Sequence, residues 1–258
     1  MIRGRYTSSA GMQVEVLRQE SIANNLANLN TTGFKREIAI MQARENMVLS
    51  RTNNPTGPGP LASTQRVQIG ELGTGVLLDG FTTRFEAGNY QQTDNPFDFA
   101  IEGDGYFVVA GDRGEEFLTR AGDFTLNGDG YLTDKAGRLV LGQQGPIGVP
   151  RGGKATVGED GVVTISGRPI AQLRVVSVPD PETTLEKVGD TLFRYQGPDQ
   201  PQPSTARVRQ GMLETANVNS VEEMTRMITA LRHYEANQKA VQHQDETLAK
   251  AVNEIARG

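Results

Sequence analysis

Residues 220–255 read SVEEMTRMITALRHYEANQKAVQHQDETLAKAVNEI and are the most regular part of the chain. They open on Ser220-Val221-Glu222-Glu223, which has the form of a capping box and predicts a helix start. Side chains then recur every seven residues, as in a coiled-coil seam. One series is Met227, Tyr234, Val241, Leu248 and Ile255, and its companion, three residues earlier, is Met224, Leu231, Gln238, Asp245 and Val252. A helix of this length is a rod on the order of 50 Å long.

A seam of this length has to be buried, and the N-terminal region carries the matching pattern. From Thr7 to Asn28 there is no proline, and Ala10, Val14, Leu17 and Ser21 alternate at spacings of four and three. This pattern predicts a helix that ends near residues 30–33, where Gly33 can take a positive φ. We therefore expect the two terminal helices to pack together, within one subunit, across neighbouring subunits, or both.

The middle of the chain has a different pattern of apolar and turn-forming residues from the two ends. Residues 38–49 are predicted to be helical or mixed, and the Pro- and Gly-rich run that follows cannot sustain a helix or a central strand. From Val67 to about Tyr195, short apolar runs alternate with turn residues, as in an antiparallel sandwich or barrel-like unit. The patterns predict a hairpin around residues 103–105, a second around residues 127–130, and a long strand over residues 170–178.

Together these patterns predict an α+β fold in which N- and C-terminal helices form a coiled-coil-like domain with an inserted, mainly antiparallel β domain. The predicted boundaries are residues 1–50 and 205–258 for a discontinuous helical domain, 51–66 for an extended linker, and 67–204 for the β domain.

The charge and residue composition of the chain exclude several classes of function. The 258 residues carry a formal net charge of −5, so no overall field attracts nucleic acid or an anionic membrane. The chain has no cysteine, which excludes disulfides, thiolate metal sites and cysteine nucleophiles. It has only two histidines, which leaves little imidazole chemistry. No apolar run reaches the length of a membrane span, and the N-terminus lacks the pattern of a cleavable secretory signal.

Candidate chemistry is sparse. His233 and His243 are ten residues apart on the predicted helix, which does not place them together as metal ligands. The run Asn127–Gly130 lacks the later ligands of a calcium loop and is better explained as a turn. A local concentration of acids at residues 94–104 is a weak argument for a carbohydrate-active enzyme. We expect no catalytic residue, cofactor or metal, and a soluble coiled-coil adaptor is the other alternative.

Three asparagines lie at helical spacing near the end of the predicted N-terminal helix: Asn24, Asn25 and Asn28. Asparagine is unfavourable inside a helix, so its presence there needs an explanation. A fraying helix end is one explanation. The other is a ladder of amide hydrogen bonds to neighbouring backbones in a packed assembly.

Three stretches resemble one known family. Residues 23–36, ANNLANLNTTGFKR, are similar to the N-terminal signature of the flagellar rod and hook proteins. Residues 214–219, ETANVN, and the positions that follow on the helix resemble the family's C-terminal signature. Residues 98–109, DFAIEGDGYFVV, and 118–124, LTRAGDF, resemble its middle region. Ala216 and Leu231 depart from the family's usual serine and glutamine.

The extent of the likeness points to one branch of the family. A β domain argues against the shorter proximal-rod members, and the lack of a further large insertion argues against the hook protein, which leaves the FlgF and FlgG type. Residues 144–150 and 190–194 look more like the proximal FlgF type, and the distal FlgG type is the alternative.

This resemblance implies a structural subunit of the flagellar rod, the drive shaft of the basal body, which spans the periplasm and transmits torque from motor to hook. Subunits would polymerise helically, with the terminal helices inside and the β domain outside. The implied partners are copies of the chain itself, other rod and hook axial proteins, the flagellar type III export apparatus and the surrounding ring proteins. Export would need no cleaved signal peptide, and neither nucleic-acid binding nor membrane insertion is implied.

The residues expected at the assembly interface come from the two predicted helices and the two terminal signatures. They are Val14, Leu17, Asn24, Asn25, Leu26, Asn28, Gly33, Phe34, Asn217, Val218, Met224, Met227, Ile228, Leu231, Tyr234, Val241 and Leu248.

Overall fold

The computed structural model describes residues 2–52, 66–111, 113–150 and 155–255. It is an α+β fold with two long terminal helices and many short antiparallel strands, as the sequence predicts. The helices are α1 (Ile2–Ala27), α2 (Pro181–Thr184) and α3 (Ser220–Ile255). The strands are β1 (Glu37–Ala43), β2 (Met47–Thr52), β3 (Arg66–Leu72), β4 (Val76–Thr83), β5 (Tyr90–Gln92), β6 (Phe99–Glu102), β7 (Tyr106–Ala110), β8 (Glu116–Thr119), β9 (Thr125–Leu126), β10 (Leu132–Thr133), β11 (Leu141–Gly142), β12 (Gly145–Pro146), β13 (Ala155–Val157), β14 (Val162–Ile165), β15 (Arg168–Gln172), β16 (Val175–Ser177), β17 (Leu185–Val188), β18 (Leu192–Tyr195), β19 (Gln202–Pro203), β20 (Arg207–Gln210) and β21 (Met212–Glu214).

The chain divides into two compact units. The helical unit holds residues 1–22, 39–81 and 224–258, and the β unit holds residues 23–38 and 82–223. A boundary between the units falls within each long helix, after Ile22 in α1 and after Glu223 in α3.

Contacts between α1 and α3 inside the helical unit run antiparallel. Arg5 forms a salt bridge of 3.0 Å with Asp245, near the start of one helix and the end of the other. Further along, Nδ1 of His233 lies 3.3 Å from a carboxylate oxygen of Glu15. Gly11 lies between them, and a Cβ built on it would come within 3.0 Å of the Asn237 side chain. A glycine at this point therefore lets a polar amide approach the α1 backbone closely.

The buried face of α3 differs in part from the predicted seam. From Met227 to Leu248 the first heptad series is partly buried, as expected. Its neighbours on the buried side are Ala230, Asn237 and Gln244, three residues later rather than earlier. Met224 and Leu231 of the predicted companion series are exposed. The apolar face of α3 is consequently broader than the part that one chain covers.

The prediction of a helical or mixed segment at residues 38–49 is wrong. The residues form β1 and the beginning of β2, with β1 paired to β4 and β2 paired to β3. Their β-branched and alternating apolar positions suit strands better than a helix. β2 and β3 are antiparallel with a register shift between Leu49 and Ser50, so a bulge interrupts the ladder. The Pro- and Gly-rich run between them, residues 53–65, and so most of the predicted linker, lies outside the described residues.

A six-stranded antiparallel sheet in the order β17-β18-β8-β7-β16-β19 forms the centre of the β unit. Its strand β7 is buried on both faces because successive side chains alternate between them. Phe107 and Val109 belong to one buried cluster, whereas Tyr106 and Val108 belong to another on the opposite face. Phe107 meets Phe124 edge-on at 5.2 Å between ring centroids. Two apolar layers thus hold the sheet, each built from residues distant in sequence.

Two of the strand predictions need correction. β6 and β7 flank the Gly103–Gly105 turn but do not pair as a hairpin, since β6 pairs with β20 and both sides of β7 are taken by β8 and β16. The long strand predicted at residues 170–178 is divided into β15 and β16, which pair in different sheets. Buried Leu173 marks the change of sheet. In contrast, the hairpin around residues 127–130 is confirmed as β9 and β10.

The helix ends differ slightly from the predicted caps. α1 begins at Ile2 and ends at Ala27, before the predicted stop. Gly33 does have a positive φ of 66°, as predicted, but in the turn that follows rather than at the helix end. At α3, the side-chain oxygen of Asn219 accepts hydrogen bonds from the Val221 and Glu222 amides, so Asn219 is the N-cap one residue before the predicted serine.

Candidate functional site

The residues predicted for the assembly interface differ in exposure. Val14, Asn25, Gly33 and Phe34 are buried, and Asn24, Met224, Ile228 and Leu231 are exposed. The remainder are partly buried: Leu17, Leu26, Asn28, Asn217, Val218, Met227, Tyr234, Val241 and Leu248. Their role at an interface between subunits stays a prediction, but the structure separates those engaged inside the chain from those that are free to meet a neighbour.

The exposed members on α3 form an apolar stripe of Met224, Ile228 and Leu231. Their exposed fractions are 51, 52 and 43%, and their spacings of four and three place them on one face of the helix. Large apolar side chains that share one face without cover are typical of a contact surface. Among the predicted residues, this stripe is the group best placed to receive another helix.

The buried members meet charged residues that the sequence analysis did not single out. Lys35 and Glu214 form a fully buried ion pair with Nζ and Oε1 2.6 Å apart and both side chains 0% exposed. Lys35 also donates to the Glu86 carbonyl at 2.7 Å. Glu214 accepts from the Gly88 amide at 2.9 Å and from Arg120 at 3.4 Å. These contacts supply the hydrogen bonds that a buried carboxylate and ammonium require.

Arg120 completes this first cluster. Its guanidinium donates to the carbonyls of Ile101 and Gly103, at 3.3 and 2.9 Å, and lies 5.1 Å from the centre of the Tyr106 ring. The first cluster, Lys35, Glu214 and Arg120, therefore connects both terminal signatures to the centre of the β unit.

A second cluster lies at the start of α3. Glu223 is buried and forms a salt bridge of 2.9 Å with Arg36. Asn25 donates to the same carboxylate at 3.2 Å and to the Glu37 carbonyl at 2.8 Å, while its own oxygen accepts from the Glu37 amide at 2.9 Å. The second cluster, Asn25, Arg36 and Glu223, fixes the end of α1 against the start of α3 inside the β unit.

Two of the asparagines form amide hydrogen bonds within the chain. Asn25 bonds the backbone at Glu37, and Asn28 donates to the carbonyl of Asn24 at 3.1 Å. The structure shows these bonds within the chain itself, so the expected ladder to neighbouring subunits stays a prediction.

The candidate acids do not form a catalytic pair. Asp98 is buried and accepts hydrogen bonds from Thr93 and Asn95, at 2.7 and 2.8 Å, as the anchor of a turn. Glu102 is directed to Arg209 at 2.8 Å. Within the described parts of the chain, no group of three histidine, aspartate or glutamate side chains could hold a metal ion. No helix there is both long and apolar enough to span a membrane.

Burial shifts the pKa of Lys35 in the first cluster and of Tyr106 beside it. It lowers the pKa of Lys35, against the opposing effect of the Glu214 carboxylate. It also raises the pKa of Tyr106 from 10.0 to about 12, although the nearby Arg120 works in the other direction. Both directions follow from the cost of an ionised group in a poorly solvated site.

We expect Tyr106→Phe to reduce the loss of stability in alkali. Between pH 10 and pH 12 the unfolded tyrosine ionises before the folded one, so the unfolded state binds fewer protons and stability falls with pH. Between pH 9 and pH 11.5 the Tyr106 contribution to that fall is about 2 kcal/mol. Urea unfolding of both proteins at pH 9 and pH 11.5 measures it. Lys35 has a lowered pKa and makes stability rise with pH up to 10.5, but it is common to both proteins. Parallel pH profiles for the two proteins would contradict the assignment.

Comparison with known families matches three parts of the chain. Residues 6–35 match the model described as flagella basal body rod protein, residues 100–165 the flagellar hook protein FlgE/F/G D1 domain, and residues 209–254 the flagellar basal body rod FlgEFG protein C-terminal. The flagellar basal-body rod protein FlgF of Caulobacter vibrioides is 36% identical over 92% of this chain and 91% of its own length. The chain belongs to the flagellar basal-body rod protein family.

Other members of the family match over still more of their length. The rod protein FlgG of Borreliella burgdorferi is 32% identical over 98% of both chains. The flagellar hook-basal body complex protein FlhO of Bacillus subtilis is 30% identical over the whole of both chains. Membership confirms the predicted family and the structural, non-enzymatic role in motility, located in the basal body of the flagellum.

The family matches also locate the first cluster. Lys35 lies at the end of the N-terminal match, Arg120 in the central one and Glu214 in the C-terminal one. All three residues lie within the motifs that identify the family, but no feature of those motifs pairs them. The available signal was a charged residue inside an otherwise apolar or turn-forming motif, which does not identify a partner 179 residues away.

Proposed function

We propose that this chain is a proximal-rod subunit of the FlgF type, which polymerises helically through its terminal helices and transmits torque from the motor to the hook. The exposed apolar stripe of Met224, Ile228 and Leu231 is the observation that carries this proposal. A helix that leaves three large apolar side chains in solvent gains stability when a neighbour covers them.

In this proposal the terminal helices pack as a coiled coil, within and between subunits, and form the inner part of the shaft. The antiparallel contacts of Arg5 with Asp245 and Glu15 with His233 hold the helices of one chain together. The stripe is then the side of α3 offered to the next chain. The β domain forms the outer layer of the shaft.

The FlgF assignment is favoured over FlgG on similarity. The FlgF relative is 36% identical to the chain, against 32% for the FlgG relatives of two different organisms. Residues 144–150 and 190–194 support the same choice. The partners proposed with this position are other copies of the chain, the neighbouring rod and hook axial proteins, the surrounding rings, and the flagellar type III export apparatus, which would deliver the chain without cleaving a signal peptide.

Leu231→Asp is expected to prevent assembly of the purified protein at the concentration at which the wild type assembles, while leaving the monomer folded. Leu231 is 43% exposed in the single chain, so a carboxylate there remains solvated until a neighbour buries it without a partner. A cost of about 3 kcal/mol per contact raises the concentration needed for assembly about 100-fold. Sedimentation velocity and electron microscopy over a concentration series measure this change.

Ala236→Asp is the matched control, because Ala236 is also exposed on α3 but lies on another face. Assembly of Leu231→Asp at the wild-type concentration would show that the stripe is not a subunit contact. Helical stacks of the wild-type protein support the rod subunit, whereas discrete dimers at every concentration would support the coiled-coil adaptor.

A further inference from the structure

Two short segments, one from each end of the chain, lie side by side in the β unit. The Gly33 amide donates to the Glu214 carbonyl at 2.8 Å, and the Asn217 amide donates to the Phe34 carbonyl at 3.4 Å. The Asn217 side chain accepts from the Arg36 amide at 2.7 Å. Residues 33–37 and 214–223 thus share backbone and side-chain hydrogen bonds although nearly the whole β unit separates them in sequence.

The ion pairs that join these two segments are divided by sign. Residues 33–37 supply the cations, Lys35 and Arg36, and residues 214–223 supply the carboxylates, Glu214 and Glu223. Lys35, Glu214 and Glu223 are each at most 1% exposed. A buried ion pair is tolerated only while both partners are present, because the remaining charge is otherwise left without compensation.

We propose that residues 33–37 and 214–223 form a two-part clasp, in which neither part stays ordered on the β unit without the other. The N-terminal segment then becomes ordered only once the C-terminal segment of the same chain has arrived. A chain that lacks its C-terminal part would keep a complete central sheet, but its residues 33–37 would not be ordered on that sheet.

Each segment also has an anchor of its own, which gives the alternative arrangement. The Arg84 amide donates to the Arg36 carbonyl at 2.8 Å, and β21 pairs with β5 through Glu214 and Tyr90. If these anchors sufficed, the two segments would open independently. The charge division argues for joint opening. Opening residues 33–37 takes the Arg36 guanidinium from Glu223 and leaves Glu214 with Arg120 as its cation. Opening residues 214–223 removes from Lys35 and Arg36 the carboxylates with which they pair.

Amide hydrogen exchange of the full-length chain tests the clasp. In Lys35→Met we expect exchange at residues 212–223 to accelerate at least tenfold, together with residues 29–37, while β7 and β8 remain within twofold of the wild type. Glu223→Gln is expected to give the reciprocal result, with faster exchange at residues 29–37. Glu186→Gln, which removes an acid from an exposed pair with Arg194, is the control and leaves both segments unchanged.

Acceleration confined to the segment that carries the substitution, in either variant, would overturn the proposal. Lys35→Met could also accelerate exchange in β7 and β8. The result for Glu223→Gln then decides whether the proposal holds, because the second cluster has no contact with those strands among the hydrogen bonds and salt bridges described above. A further signature is non-additivity: Arg36→Met combined with Glu223→Gln should accelerate exchange less than the product of the two single effects. A full product would contradict coupling between the segments.

Discussion

Gly33→Ala is expected to lower the free energy of unfolding by about 3 kcal/mol. A methyl group on Gly33 would lie 2.3 Å from the Ala121 nitrogen and 2.4 Å from the Arg120 carbonyl carbon, both of them backbone atoms that cannot rotate away. The φ of 66° adds the strain of a left-handed conformation for a residue with a Cβ. Urea denaturation of the purified protein, followed by circular dichroism, measures the loss.

Gly137→Ala separates the two causes. Gly137 has a similar positive φ of 85°, but a Cβ there meets no atom within 4 Å. Its substitution should cost only the conformational part, about 1 kcal/mol. Equal losses at Gly33 and Gly137 would mean that the backbone around Arg120 relaxes and that the close approach has no energetic weight.

Glu214→Ala is expected to destabilise the protein by about 4 kcal/mol. The substitution removes the carboxylate from a buried cluster and leaves the Lys35 ammonium without its ion pair and Arg120 without its acid. It also leaves the Gly88 amide without its acceptor. Chemical denaturation at neutral pH, with the same signal as for Gly33→Ala, gives the difference directly.

Glu186→Ala provides the comparison for a carboxylate in solvent. Glu186 pairs with Arg194 at 3.5 Å, and both side chains are about half exposed. Because surface pairs contribute little, this substitution should cost less than about 1 kcal/mol. A loss at Glu214 no larger than the loss at Glu186 would show that water reaches the first cluster and screens its charges.

Local patterns predicted the elements whose causes are local. The heptad of α3 and the polar residues before it located that helix within one residue of its start, because capping and periodicity act over a few positions. The Asn127–Gly130 turn likewise predicted the pairing of β9 with β10. Gly33 was predicted to take a positive φ because a turn there suits no other residue so well.

Pairings set by distant residues were not predictable in this way. The turn at Gly103–Gly105 has the composition of a hairpin, yet β6 pairs with β20, about a hundred residues later, because β7 already has two neighbours. The same holds for the charged clusters, since a lysine in one motif and a glutamate in another have no local feature that names them as partners. One sequence records which residues are present, whereas the pairing depends on how the whole chain closes.

The two edge strands of the six-stranded sheet carry residues that hinder pairing with a strand of another molecule. β19 at one edge contains Pro203, which has no amide hydrogen to offer a further strand. β17 at the other edge carries Glu186, a half-exposed carboxylate whose charge opposes the docking of an uncharged strand. Open sheet edges are the usual starting point of indiscriminate aggregation, and a protein crowded against its own kind is especially prone to it. Blocked edges of this kind keep the sheets of neighbouring molecules separate, so that packed copies remain distinct folded bodies.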